Sequence, residues 1–175
     1  MSIRRVIRAL IGLLVATILC AIIIGNSSFR AIREIYTQVT INAPAERVWA
    51  ITMDTGRYPE WNPFIKSVHG DLRPGARIRV NLHPANSHTT PIFPTVLAVE
   101  PNHELRWRGH ALIPGLFDGE HSFTVEPTGP NSCRFIQQEK FSGSLVPFAW
   151  RWITTDVIAG FREMNQALKL RAEHP

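Results

Sequence analysis

The sequence is poor in the residues on which most catalytic classes depend. It has only two cysteines, Cys20 and Cys133. One falls in an apolar N-terminal run and the other in a predicted strand, too far apart for a bridge, so no disulfide framework exists to fix the fold. The seven histidines are scattered. His83, His88, His103 and His110 show no paired spacing and no Cys pair supplements them, so no metal is expected. A Gly-rich phosphate loop and a Gly-x-Ser-x-Gly elbow are both missing. The lone Ser142-Gly143-Ser144 has no local base. Metal-dependent and nucleophilic hydrolysis are thereby disfavoured, and no cofactor is called for. There is neither an internal repeat nor a low-complexity stretch.

Acidic residues are absent from residues 1–33, which hold Arg4, Arg5, Arg8, Arg30 and Arg33. Those five arginines account for the whole net charge of +5, leaving 14 basic against 14 acidic residues from Glu34 onward. A neutral body argues against nucleic acid, whose binding needs a basic face. Arg73, Arg77 and Arg79 read as a solvated strand face. Residues 9–25, ALIGLLVATILCAIIIG, carry no charge. With Val6, Ile7 and a snorkelling Arg8 they make about 30 Å of helix, the thickness of a hydrocarbon core. A single-pass membrane anchor is expected, with a cleaved signal peptide as the competing reading. Leu19 before Cys20 argues against lipoprotein processing. The basic N-terminal flank places the N-terminus in the cytoplasm and the body outside. The chain is divided accordingly: 1–33 as anchor and short linker, 34–172 as one folded domain, 173–175 as tail.

The body opens on residues 40–64, TINAPAERVWAITMDTGRYPEWNPF. A strand over 35–41 is rich in β-branched residues. Asn42 is a candidate N-cap, and Pro44 suits a first helical turn. Val48, Ile51 and Thr52 share one helical face, Trp49 lies beside it, and Gly56 stops the helix. Further strands are predicted over 65–69, 77–83, 95–100, 104–111, 119–126 and 133–142, divided by Pro/Gly breakers. Seven strands joined mostly by short turns make an antiparallel sheet. A helix over 145–172 carries Trp150, Ile153, Val157, Phe161, Met164 and Leu168 at spacings of three and four, one apolar stripe that has to cover the sheet.

A strand followed by "APAERVWAI" and "YPEWNPF", then "GEHSFTVEP" (119–127), "FIQQEKFSG" (135–143) and a long last helix, resembles the polyketide cyclase/dehydrase and lipid-transport superfamily, the START-like or SRPBCC group related to Bet v 1. The resemblance spans roughly residues 34–171. It implies an α+β helix-grip fold: a curved seven-stranded antiparallel sheet wrapped around the long C-terminal helix, here with an N-terminal transmembrane helix added. It also implies a ligand cavity between sheet and helix, in a group that includes carriers, enzymes and assembly scaffolds. Fold alone does not choose among these.

Strand alternation assigns the inner face. Val80 on 77–83, Trp107 on 104–111, His121 and Phe123 on 119–126, and Phe135, Gln137 and Glu139 on 133–142 point inward. A hairpin centred near Gly129 sets Phe123 opposite Phe135 and His121 opposite Gln137, with Glu139 diagonal to His121. His121, Gln137 and Glu139 then form a polar cluster on an apolar wall. One reading is a satisfied buried network; the other is the polar anchor of a pocket. The expected ligand-binding set is Val80, Trp107, His121, Phe123, Phe135, Gln137, Glu139, Phe161 and Met164. The expected ligand is an apolar small molecule: a lipid, a quinone or a polyketide-like compound. If the domain is an enzyme of the cyclase/dehydratase kind, His121 is its acid or base and Glu139 orients it. A non-catalytic scaffold for a membrane complex, with a protein partner, is the third reading.

Overall fold

The computed structural model describes residues 3–28, 31–85, 87–111 and 113–174, with side chains at 3 and 19–28 outside the description. Helix α1 spans Ile3–Ser28 and leads into strand β1, Ala31–Ile41. Among the described residues no helix is long and apolar enough to cross a membrane. Arg4, Arg5 and Arg8 load the first two turns of α1 with charge. Part of the expected span, 19–25, falls among the side chains that are not described. The expected anchor is therefore corrected, and the placement of the domain outside the membrane falls with it.

After β1 come α2 (Ala45–Met53), a 3₁₀ turn (Thr55–Arg57) and the single-turn α3 (Tyr58–Trp61). Asn42 does not cap α2: Pro44 occupies the N-cap position, and the Asn42 backbone N–H donates instead to Glu173 Oε1 at 2.7 Å. The YPEWNPF segment is a built corner. The Tyr58 hydroxyl donates to the Thr52 carbonyl at 2.6 Å. Asn62 Oδ1 accepts from the backbone N–H groups of Phe64 and Ile65, at 3.0 and 2.8 Å, and so turns the chain into β2 (Ile65–His69). The remaining strands are β3 (Arg79–Leu82), β4 (Thr90–Ile92), β5 (Thr95–Glu100), β6 (Glu104–Ala111), β7 (Phe117–Gly129) and β8 (Ser132–Gly143).

These strands do not make one seven-stranded sheet. They form a five-stranded antiparallel sheet in the order β1-β8-β7-β6-β5 and a three-stranded sheet in the order β2-β3-β4. The two meet at a single Arg77–Thr95 bridge, supported by backbone bonds from Gly75 to Val96, from Val96 to Ala76 and from Ile78 to Pro94. Pro91 and Pro94 have no N–H to donate, so a ladder cannot run unbroken through this corner. The extra strand β4 lies in a stretch whose prolines read as a breaker.

The C-terminal helical run is continuous but not uniform. It consists of α4 (Val146–Trp152), a π-type turn over Ile153–Val157, and α5 (Ile158–Glu173). Ile153, Val157, Phe161, Met164 and Leu168 are buried, as the stripe requires, and Trp150 is half-buried beneath the Arg33 guanidinium, 4.8 Å from the ring centroid. Helix α5 is also pinned by polar contacts. Gln137 Nε2 donates to Asn165 Oδ1 at 2.7 Å and to the Phe161 carbonyl at 3.2 Å, and Asn165 Nδ2 donates to Thr37 Oγ1 at 3.1 Å. All three side chains are buried, where unpaired polar groups are costly. They fix how α5 sits on β1 and β8.

Candidate functional site

Strand pairing places the polar cluster, though not in the register expected. Phe123 faces Gln137, His121 faces Glu139, and Val125 faces Phe135. The shift of two residues comes from the turn. Gly129 pairs with Ser132, so the turn centres between Pro130 and Asn131 rather than on Gly129, and the irregularity between Pro127 and Gly129 offsets this by one residue. His121 and Glu139 are thus directly opposed rather than diagonal. Glu139 Oε2 lies 3.7 Å from His121 Nδ1, longer than a hydrogen bond.

A cavity of about 440 Å³ opens between the two sheets and the start of the C-terminal helical run. That size lies in the range of small-molecule sites. Its origin is legible in β6 and β7, where Gly109 pairs with Gly119 and neither contributes a side chain. Phe64, Trp107, Phe117, Phe141 and Val157 line its apolar walls, Ile92 and Phe93 close the β4 side, and Trp152 stands at the helical end. Trp152 and Val157 are five residues apart, about 140° apart on an ordinary α-helix. The wider π turn between them lets both face the cavity.

Glu139 is the carboxyl on this wall. Its Oε1 occupies the space above Gly119, where a Cβ would come within 2.6 Å. Burial pushes the carboxyl up to about 8, so it carries its proton at neutral pH. The side chain keeps 17 % exposure, all the contact a ligand needs. His121 stands behind it, 4 % exposed and packed between Phe123 and Phe161, with ring centroids 4.4 and 4.7 Å away. Burial drives its imidazole down to about 3, with the Gln137 amide pulling the other way. The pair is therefore neutral on both sides near pH 7, not an ion pair.

Of the expected ligand-binding residues, Trp107 and Glu139 line the cavity. His121 touches Glu139 from the core side. Val80, Phe123, Phe135, Gln137, Phe161 and Met164 are fully buried in the packed core and do not line it. Arg77, Thr90 and His110, which sequence alternation placed outside or in loops, do line it. They reach it because the three-stranded sheet folds over the large one, a tertiary arrangement that alternation cannot report. Among the described residues no group of His, Cys, Asp and Glu could hold a metal ion.

The family model for polyketide cyclase/dehydrase and lipid transport matches residues 33–173. No curated protein matches the sequence. Among solved structures, the Zhui aromatase/cyclase of a Streptomyces species superposes with a TM-score of 0.68 at 16% identity, covering 82% of this chain and 94% of its own. Norcoclaurine synthase from Thalictrum flavum, in complex with dopamine and hydroxybenzaldehyde, gives 0.65 at 16% identity, with coverage of 86% and 92%. A START superfamily protein from Mycobacterium smegmatis gives 0.59 at 21% identity, with coverage of 80% and 97%. At these identities the likeness is one of fold.

Proposed function

Because the chain belongs to the polyketide cyclase/dehydrase and lipid-transport family, we propose that it binds an apolar, largely aromatic small molecule in the cavity between its sheets and its C-terminal helical run. The observation that carries this reading is a 440 Å³ apolar hollow with one protonated carboxyl, Glu139, on its wall. Apolar walls supply affinity and a few placed polar groups supply orientation. Trp107 and Trp152 line the hollow, so ligand entry should quench tryptophan emission. Titration with a panel of bicyclic and tricyclic aromatics, alongside native mass spectrometry of solvent-extracted protein, tests the reading. Saturable 1:1 binding that is lost in Ala111→Trp, which fills the cavity edge, supports it. A panel with no binder and protein that carries nothing from its host refute it.

A second reading is acid–base catalysis, favoured by one feature: Glu139 holds a proton at neutral pH within reach of a bound molecule. Here the carboxyl is the group that touches substrate. His121, which does not line the cavity, positions it. Turnover of a bound ketone that vanishes in Glu139→Gln while binding persists would support catalysis; binding without turnover leaves the carrier reading in place.

A further inference from the structure

The orientation of the buried polar chain behind Glu139 can be worked out atom by atom. The Phe161 carbonyl can only accept, so the Gln137 atom 3.2 Å from it must be the amide nitrogen. That nitrogen also donates to Asn165 Oδ1. The Gln137 amide is thereby fixed, and its Oε1 is left as a buried acceptor with no partner among the described residues. His121 Nε2 is likewise buried and without a partner. His121 and Gln137 are diagonal neighbours on the inner face of β7 and β8. A hydrogen on Nε2 is the assignment that lets these two orphaned atoms meet each other's need through a small side-chain shift. A neutral imidazole protonated at Nε2 has a bare Nδ1, which can only accept. Nδ1 is the atom that faces Glu139 Oε2 at 3.7 Å. An acceptor facing a carboxyl is satisfied only if that oxygen bears the proton. Closing the gap to a hydrogen bond takes a side-chain adjustment of about 1 Å, of the kind binding sites make when filled. Arg77 and His110, the other titratable groups lining the cavity, are exposed at its edge and do not enter this chain.

The consequence falls on the second oxygen. With the Glu139 proton directed back at His121, Oε1, seated above Gly119 on the cavity wall, is a carbonyl-type acceptor. We propose that the cavity selects an apolar molecule bearing a hydrogen-bond donor, a hydroxyl or N–H, in preference to the same frame bearing only an acceptor such as a ketone or ether. This rests on the reading of the cavity as a ligand site, which the test separates from it. The probes are 2-naphthol and 2-methoxynaphthalene, which share a ring system and differ in the donor. Tryptophan quenching at pH 6.5 should show naphthol binding about tenfold more tightly, the effect of one added hydrogen bond. The ¹⁵N spectrum of the unaltered protein should show His121 as the neutral Nε2–H tautomer. Equal affinities, or an Nδ1–H tautomer, would overturn donor selection and leave the cavity reading standing. If neither probe binds, nor any member of the aromatic panel, the cavity reading falls and donor selection falls with it.

Discussion

Replacing Glu139 by Gln should change how stability depends on pH, in a way set by two buried groups. Glu139 titrates at about 8 in the folded protein instead of 4.5. Between those values the folded state binds more protons than the unfolded chain, so stability falls as pH rises. Moving a carboxyl that far corresponds to about 5 kcal/mol between its protonation states. This is an upper bound that water entering the cavity reduces. His121 acts in the opposite sense. Its folded value of about 3 lies below the ordinary 6.5, so between those values the unfolded chain binds more protons and stability rises with pH. From these two groups, wild-type stability climbs from pH 3 to 4.5, runs flat to 6.5, and declines toward 8. In Glu139→Gln the decline is removed and the climb continues to 6.5. The assay is urea denaturation of both proteins from pH 4 to 9. The difference in unfolding free energy should grow steadily in favour of the variant above pH 4.5 and level off above 8, reaching several kcal/mol. Any fixed offset from the amide itself does not affect this test. Curves that stay parallel would refute a carboxyl buried in its protonated form.

Gly160→Ala would drive a Cβ into the Phe64 ring, which packs edge-to-face on Phe161 at 5.3 Å and lines the cavity. The expected cost is about 1–3 kcal/mol, read as a lowered Tm, together with weaker aromatic ligand binding. Asn165→Leu would leave Thr37 Oγ1 without its partner in the core and reduce Gln137 Nε2 to its one bond to the Phe161 carbonyl; a loss of about 1–3 kcal/mol is expected in chemical denaturation. Gly119→Ala puts a methyl group where Glu139 Oε1 sits. It should displace the carboxyl from the wall, and the naphthol preference over its methyl ether should shrink below threefold while the overall fold, seen by circular dichroism, is kept.

Local pattern carried much of this fold and less of its site. Period-two alternation correctly put Trp107, His121, Phe123, Phe135 and Gln137 inward, because each stands on a long strand of the five-stranded sheet. The spacing of three and four found the buried stripe from Ile153 to Leu168. Register failed by two residues because the turn centres between Pro130 and Asn131 instead of on Gly129, a turn detail that pattern cannot fix. The second sheet was missed because β4 is three residues long and contains Pro91. The hollow itself had one readable signal, the glycines at 109 and 119 on facing strands, and that signal means something only once the strands are paired. The charge-free N-terminal run suggested a membrane span, and the described helix does not supply one.

The π turn over Ile153–Val157 carries one residue more than ordinary helical winding would. Its surplus residue is a phase adjuster between two helical halves. Deleting one residue there would restore ordinary winding and set Trp152 and Val157 four residues apart, about 40° on the helix, so both would keep facing the cavity. Helix α5 would hold its seat through Phe161, Met164, Leu168 and the Gln137–Asn165 clasp. A one-codon loss at this turn is then absorbed by the winding, and both the chamber lining and the core beneath it are kept.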